Sequence, residues 1–358
     1  MGNWRDNLRK IQPYVPGEQP NLPDMIKLNT NENPYPPSPK VRKVLDDYSE
    51  DLLRLYPDPA SEKLVDAIAR YNGVEREQVF VGVGSDDVLA IAFMTFFNSG
   101  KPILFPDITY SFYDVWAELF QIPYRQIPLD EDFQMVREDY FGENGGLVIA
   151  NPNAPTGVYQ GIDALEEIVR HNQDVVVIID EAYVDFSREG SAKALVERYD
   201  NVLIVQTYSK SRSLAGMRIG HAIGSQDLIA AMNDVRFSFN SYPMTRLSTE
   251  IGVAAIEDEE YFRETCGKVV STREWTKKEL LRMGFHFQDS MTNFVFARHE
   301  TVPAQVIFDG LREEHIFVRH FSSPRIENYL RISIGTDGEM RRFVEEAKRI
   351  IEGYSARQ

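Results

Sequence analysis

The chain has 358 residues, enough for about two domains, and 43% of them are hydrophobic, as in an ordinary globular protein. A net charge of −16 argues against nucleic acid and anionic membrane as partners, because both are bound through basic surfaces. The single cysteine, Cys266, cannot form an intramolecular disulfide, which fits a reducing cytoplasm.

Residues 1–24 hold no apolar run of signal-peptide length, and no stretch is long and apolar enough to span a membrane. Residues 1–40 are polar, with Pro13, Pro16, Pro20, Pro23, Pro34, Pro36, Pro37 and Pro39, and read as an extended arm. Trp4, Tyr14 and Tyr35 set this arm apart from a disordered tail, which is poor in aromatics. Val41 to Leu55 has helical spacing, and Ser61 to Tyr71 predicts a second helix with Leu64, Ala67 and Ile68 on one face. Val79 to Gly84 reads as a strand entering a glycine turn, and Ser85-Asp86-Asp87 then opens an apolar helix from Val88 to Phe97. Such a turn makes an anion site from backbone N–H groups and the helix dipole. Without the lysine motif, Ser85 or Asp86 reads first as a plain N-cap. A nicotinamide fingerprint fails, because Asp87 stands where the third glycine belongs.

Lys101 to Pro106 predicts a strand, Asp107 to Tyr113 a loop into a helix, and Leu147 to Ala150 another strand. Asp163 to His171 predicts a crossover helix with Asp163 as N-cap and Glu166 completing a capping box. Val175 to Ile179 ends in Asp180-Glu181-Ala182-Tyr183, and Val202 to Gln206 ends in Thr207-Tyr208-Ser209-Lys210. Both apolar runs read as buried parallel strands. Residues 79–224 therefore predict an α/β unit, a mainly parallel sheet flanked by helices. Beyond Gly224 come a helix from Gln226 to Val235 and a long helical stretch from Thr245 to Met283, bent near Asp258 or Gly267. Strands and helices suited to a smaller α+β domain follow, the last helix opened by a Thr336–Glu339 capping box. The expected division is an arm (1–40), a large domain (41–245) and a small C-terminal domain (246–358).

Lys210 falls just past the carboxyl end of a strand, where open α/β sheets hold their ligands. Ser209, Ser213 and Arg218 lie close in sequence, a set that suits a phosphate-bearing aldehyde held covalently. Ser-Lys alone is better read as a solvated lysine in a polar loop; the spacing to Ala215-Gly216-Met217-Arg218-Ile219-Gly220 is what favours a site. Asp180, at the end of a buried strand, needs a partner for its charge, and a pyridinium nitrogen is a suitable one. The six histidines form no metal signature, and neither a P-loop nor a G-x-S-x-G elbow occurs.

Ser209-Lys210 with Arg218, Asp180-Glu181-Ala182-Tyr183, and Asn151-Pro152-Asn153-Ala154-Pro155-Thr156-Gly157 together resemble the fold-type I pyridoxal 5'-phosphate aminotransferases. Pro13-Tyr14-Val15-Pro16-Gly17, Leu28 to Pro34, Tyr56-Pro57-Asp58 and Leu330 to Gly335 are most similar to the histidinol-phosphate aminotransferases within that family. The resemblance implies that Lys210 carries the cofactor as a Schiff base and moves the substrate proton. It implies that Asp180 keeps the ring nitrogen protonated and that Tyr183 bonds the phenolic oxygen. Thr207, Ser209, Arg218 and the Ser85-Asp86 turn would hold the phosphate, Tyr110 would stack on the ring, and Tyr56 would reach in from the partner of a homodimer. The family usually has asparagine just before Pro-Thr-Gly. This chain has Ala154 there, so Asn153 is expected to turn toward the phenolic oxygen. Arg331, Arg319, Tyr14 and Asn29 are the implied substrate contacts. The implied reaction moves an amino group between L-histidinol phosphate and 2-oxoglutarate, giving imidazole acetol phosphate and glutamate, in the cytoplasm. An aromatic or broad-range aminotransferase shares every cofactor residue. Threonine-phosphate decarboxylases carry an N-terminal His-Gly-Gly where this chain has Leu28-Asn29-Thr30. An aminotransferase-like sensor needs a DNA-binding module, for which a 40-residue arm leaves no room.

Overall fold

A computed structural model describes residues 3–15 and 17–357; Pro16 of the arm lies outside them. In chain order the arm contributes β1 (Ile26–Leu28), and α1 (Pro39–Asp47) and α2 (Glu62–Asn72) follow. Next come β2 (Val79–Gly82), α3 (Ser85–Phe96), β3 (Ile103–Pro106), α4 (Tyr113–Phe120), β4 (Tyr124–Ile127), β5 (Leu147–Ala150) and α5 (Ile162–Arg170). They are followed by β6 (Val177–Asp180), β7 (Val202–Thr207) and β8 (Gly220–Ile223). After α6 (Gln226–Phe239), α7 (Arg246–Ile256) and α8 (Glu259–Arg282) come β9 (Phe285–Phe287), β10 (Phe294–His299), α9 (Ala304–Glu313), β11 (Ile316–His320), β12 (Leu330–Ser333) and α10 (Asp337–Ser355).

Seven strands form one sheet in the order β2-β8-β7-β6-β5-β3-β4. β8 runs antiparallel to both its neighbours, and the remaining pairs are parallel. The central strands are mostly apolar because helices cover both faces, with polar residues such as Asp180 and Thr207 at their carboxyl ends. Leu89, Phe93, Trp116 and Met232 from α3, α4 and α6 fill one side, and Leu165, Ile168 and Val169 of α5 the other. Burying each such side chain contributes about 1.5–3 kcal/mol, so the strand ends are held by a deep core. The second sheet has the order β1-β11-β12-β10-β9. Its core includes Val269 and Leu280 of α8, Ile307 of α9 and Phe343 of α10.

Four local readings are corrected. The arm does not merely lie over folded units, since Ile26 and Leu28 are buried and β1 pairs in parallel with β11 as a strand of the small sheet. The helix from Val41 stops at Asp47 because Tyr48 is extended, and Glu50–Arg54 is a separate 3-10 turn. Asp163 is not an N-cap. Gly161 is, and Asp163 sits in the first turn, where its charge meets the helix's positive end. The Glu166 carboxylate instead accepts from Arg198 at 2.6 Å and the Tyr199 hydroxyl at 2.7 Å. The helix from Gln226 runs on past Val235 to Phe239. The long stretch after Thr245 breaks at Asp258, whose backbone is non-helical, and Gly267 is inside α8. Although it follows residue 245, α7 packs Ile251, Ala255 and Ile256 against Leu64, Ile68 and Val79 of α2 and β2. The Thr336–Glu339 capping box of α10 is present.

Candidate active site

β2, β5, β6 and β7 deliver their carboxyl ends to one edge of the large sheet, with Ala150 beside Asp180 and Asp180 beside Val205. A cavity of about 990 Å³ opens there, lined among others by Tyr14, Asn29, Tyr110, Tyr183, Lys210, Arg319 and Arg331. That volume is at the upper end of the range for small-ligand sites.

Lys210 follows β7, and its Nζ donates to the Thr30 carbonyl at 3.2 Å and lies 5.8 Å from the centre of the Tyr183 ring. Asp180 ends β6 and is only 5% exposed. Its Oδ2 accepts from the Tyr113 hydroxyl at 2.8 Å and its Oδ1 from the Ala182 N–H at 3.2 Å. Burial pushes the Asp180 carboxyl up to about 6, and these neutral donors offset only part of the loss of water. The Tyr183 hydroxyl accepts from Asn31 Nδ2 at 2.9 Å, while Asn31 Oδ1 accepts from the Ser333 hydroxyl at 2.8 Å. The arm and the small sheet are thus tied to the end of β6.

Beside the lysine lies a polar cradle. Gly84, with φ +84°, is the N-cap of α3 and has no capping side chain, so the N–H groups of Ser85 and Asp86 open the helix without intrahelical acceptors. Arg218, itself at φ +52°, donates to Asp86 Oδ2 at 2.9 Å and Ser209 Oγ at 3.4 Å. The Thr207 hydroxyl donates to Ser209 Oγ at 3.0 Å. The other Asp86 oxygen accepts from the Tyr110 hydroxyl at 2.8 Å. Burial, followed by Asp86, raises the Tyr110 phenol far above its ordinary value. Two glycines permit this approach: a Cβ on Gly84 would stand 2.4 Å from Arg218 Nη2, and one on Gly220 would stand 2.3 Å from the Ser85 nitrogen.

On the opposite wall Arg331 Nη2 donates to the Asn29 carbonyl at 3.0 Å, and Arg331 Nε is buried without a partner among the described residues. Burial lowers the Arg331 pKa from its usual value. Asn29 Nδ2 donates to the Glu18 carbonyl at 2.7 Å, leaving its buried Oδ1 also without a partner among the described residues. Arg319 lies directly across from Arg331 in the antiparallel β11–β12 pair. β11 lies between β1 and β12, so Arg319 is not on an edge strand. Tyr14 stacks on Phe112 with centroids 4.4 Å apart.

Two expected cofactor residues are engaged elsewhere in the fold. Asn153 does not turn toward it. Its amide donates to the Ile108 carbonyl at 2.9 Å and Thr156 Oγ1 at 3.0 Å and accepts from the Thr109 hydroxyl at 2.8 Å, bracing its own loop. Ala154 lines the cavity instead. Tyr56 is 80% exposed and packs on Tyr242 with centroids 4.9 Å apart. Three residues that matter to the geometry were not singled out from the sequence. Asn31 and Thr30 sat within the quoted Leu28–Pro34 motif, which was their signal. Tyr113, the partner of Asp180, looked like any aromatic at a helix start.

The family profile described as aminotransferase class I and II matches residues 23–346. The chain belongs to the class I and II aminotransferases. It is 51% identical over 350 residues to a histidinol-phosphate aminotransferase of Lactococcus lactis subsp. cremoris (strain MG1363), covering 98% of each chain. It is 53% identical over 336 residues to histidinol-phosphate aminotransferase 1 of Hydrogenovibrio crunogenus (strain DSM 25203 / XCL-2), covering 94% of each. Its fold matches the crystal structure of histidinol-phosphate aminotransferase from Sinorhizobium meliloti in complex with pyridoxal-5'-phosphate. The TM-score is 0.84 at 22% identity, over 92% of this chain and 91% of that one. The seven-stranded sheet and the smaller second sheet are thus those of a fold-type I aminotransferase.

Proposed function

We propose that this aminotransferase moves an amino group between L-histidinol phosphate and 2-oxoglutarate, a step of histidine biosynthesis, in the cytoplasm and as a homodimer. The observation that carries the substrate reading is the placement of Arg319 opposite Arg331 on the wall facing Lys210. Like charges directly opposite on a sheet repel, and a phosphate near two negative charges relieves that repulsion better than a carboxylate with one. The full-length relatives that carry the name support the same reading.

The residues present fit pyridoxal phosphate. They include a polar cradle with Arg218, a buried carboxylate without a cationic contact among the described residues, and a lysine and an aromatic ring that line the cavity. The Ser85 and Asp86 N–H groups, Thr207, Ser209 and Arg218 would hold its phosphate, and Tyr110 would cover its ring. Asp180 would hold a proton on the ring nitrogen through a charge-assisted hydrogen bond, in a pocket where an unpaired carboxylate is costly. Tyr183, oriented by Asn31, would hydrogen-bond the phenolic oxygen. When bound, the cofactor supplies the electron sink that this chemistry needs.

Lys210 Nζ takes the proton from the amine-bearing carbon of the donor and, in the return half-reaction, delivers one to the keto carbon of the acceptor. Arg331 and Arg319 bind the phosphate of one substrate and the distal carboxylate of the other, while Tyr14 and Asn29 close the site from the arm. Tyr56 would complete a partner's cradle. Its exposure, shared with Leu53 at 71% and Phe239 at 70%, supports a second copy packed there.

Arg319→Met tests the substrate reading. A charge-assisted hydrogen bond contributes about 1.5–3 kcal/mol, so kcat/KM for histidinol phosphate should fall roughly tenfold or more, and by more than kcat/KM for phenylalanine. Equal losses would make Arg319 a support of the sheet.

A further inference from the structure

The loop from Phe321 to Tyr329 joins β11 to β12 and therefore joins the strands that carry Arg319 and Arg331. At its centre Arg325 has φ +70°, a conformation unfavourable for a residue with a Cβ. Backbone strain of this kind persists only where surrounding contacts hold it. Here the contacts are made by the guanidinium. Nη1 donates to Asp107 Oδ2 at 2.8 Å, and Nη2 donates to the carbonyls of Leu129 at 2.8 Å and Asp130 at 2.9 Å.

All three acceptors belong to the large sheet's edge. Asp107 follows β3, Leu129 and Asp130 follow β4, and Asp107 Oδ1 accepts from the Leu129 N–H at 2.9 Å, so the acceptors are fixed relative to one another. Beneath the guanidinium, Ile108, Leu129 and Phe133 of the large-sheet side pack with Phe296 and Ile326 of the small-sheet side. Arg325 also lines the cavity that holds Lys210. With both terminal nitrogens donated to the opposite wall, it is a brace rather than a third anion ligand. A planar guanidinium can serve three converging acceptors, which an ammonium cannot do in the same geometry.

We propose that Arg325 is a positioning residue, clamping the β11–β12 loop to the large sheet and so setting the span between Lys210 and the two anion-binding arginines. The idea rests on the reaction proposed above for its kinetic consequence only. A substrate with its amine at one end and its phosphate at the other must fit that span, so a loosened span weakens its binding by losing the site's preorganisation.

The test uses the holoenzyme and two variants. Arg325→Gly suits the backbone conformation and removes the fork. Its melting temperature should fall only modestly, because relieved backbone strain offsets part of the lost hydrogen bonding, while KM for histidinol phosphate rises about tenfold, kcat changes less, and amide hydrogen exchange across residues 321–329 accelerates. Arg325→Lys keeps the charge without the three contacts and should show the same rise in KM. Asp107→Asn should raise KM less, and adding it to Arg325→Gly should do nothing more, because the two residues act through one contact. An unchanged KM in Arg325→Gly, a rescue by lysine, additive losses, or a raised KM with unchanged exchange in the loop would each overturn the clamp. If the wild type fails to turn over histidinol phosphate while the loop still loosens in Arg325→Gly, the clamp stands and the substrate reading falls.

Discussion

Arg319 and Arg331 face each other across the β11–β12 pair, two cations in direct register at the wall of one cavity. Among the described residues neither has a carboxylate as a hydrogen-bond partner. Arg331 spends Nη2 on a backbone carbonyl and leaves Nε buried and unmet among the described residues. In the cradle beside Lys210, Arg218 is held by Asp86. The site therefore pairs a polar cradle, its arginine already met by Asp86, with two arginines that line the cavity with Lys210, which suits a phosphate-bearing cofactor at the cradle and an anionic substrate at the arginine pair.

Gly84 is where the cofactor pole is most sensitive to a single added carbon. A Cβ there would press on Arg218 at 2.4 Å, and φ +84° strains any residue that carries one. Gly84→Ala should weaken pyridoxal phosphate binding by at least tenfold while pyridoxal without its phosphate binds nearly as before. Fluorescence titration with both compounds checks it. Equal weakening of both would place the damage outside the phosphate cradle.

The carboxyls at the end of β6 make the cofactor-free protein sensitive to pH. Burial raises Asp180 to about 6, and it raises Glu181 to about 7 despite hydrogen bonds from Ser191, Ala192 and Gln206. Both values exceed those of an unfolded chain, so between about pH 4 and pH 7 the folded state holds more protons than the unfolded state. Their contribution to stability is therefore complete at acid pH and is lost as pH rises through the folded values. For Asp180 the loss is roughly 3 kcal/mol. In cofactor-free protein, Asp180→Asn should reduce the drop in melting temperature between pH 4 and pH 7. An identical pH profile for variant and wild type would mean that Asp180 is not desolvated as the structure shows.

Assembly makes its own prediction. Tyr56 lies on the surface of its own chain, beside exposed Tyr242, yet is assigned to a phosphate site. Mixing inactive Lys210→Ala subunits with severely impaired Tyr56→Ala subunits should restore activity, because one of the two sites in each hybrid would contain both residues. Subunit exchange verified by mass spectrometry without recovery would place the whole site in a single chain.

Much of this architecture was legible in the sequence, for physical reasons. The short apolar runs that end at Asp180 and lead to Lys210 read as buried parallel strands and are so paired, and the Thr336–Glu339 pair marks its helix without tertiary help. What stayed hidden depends on partners distant in sequence. Asn153 was expected to face the cavity, but Ile108, Thr109 and Thr156 hold it in its loop. Asn31 reaches Tyr183 across 152 positions, and Tyr113 reaches Asp180 across 67. β1 looked like part of a proline-rich arm because three residues carry little periodicity until β11 is beside them.

The most direct test of the central claim is a substrate panel on the pyridoxal phosphate-loaded enzyme with 2-oxoglutarate as acceptor. The paired arginines predict that kcat/KM for L-histidinol phosphate exceeds that for phenylalanine by at least tenfold. A preference for phenylalanine would contradict the account and make the protein an aromatic aminotransferase.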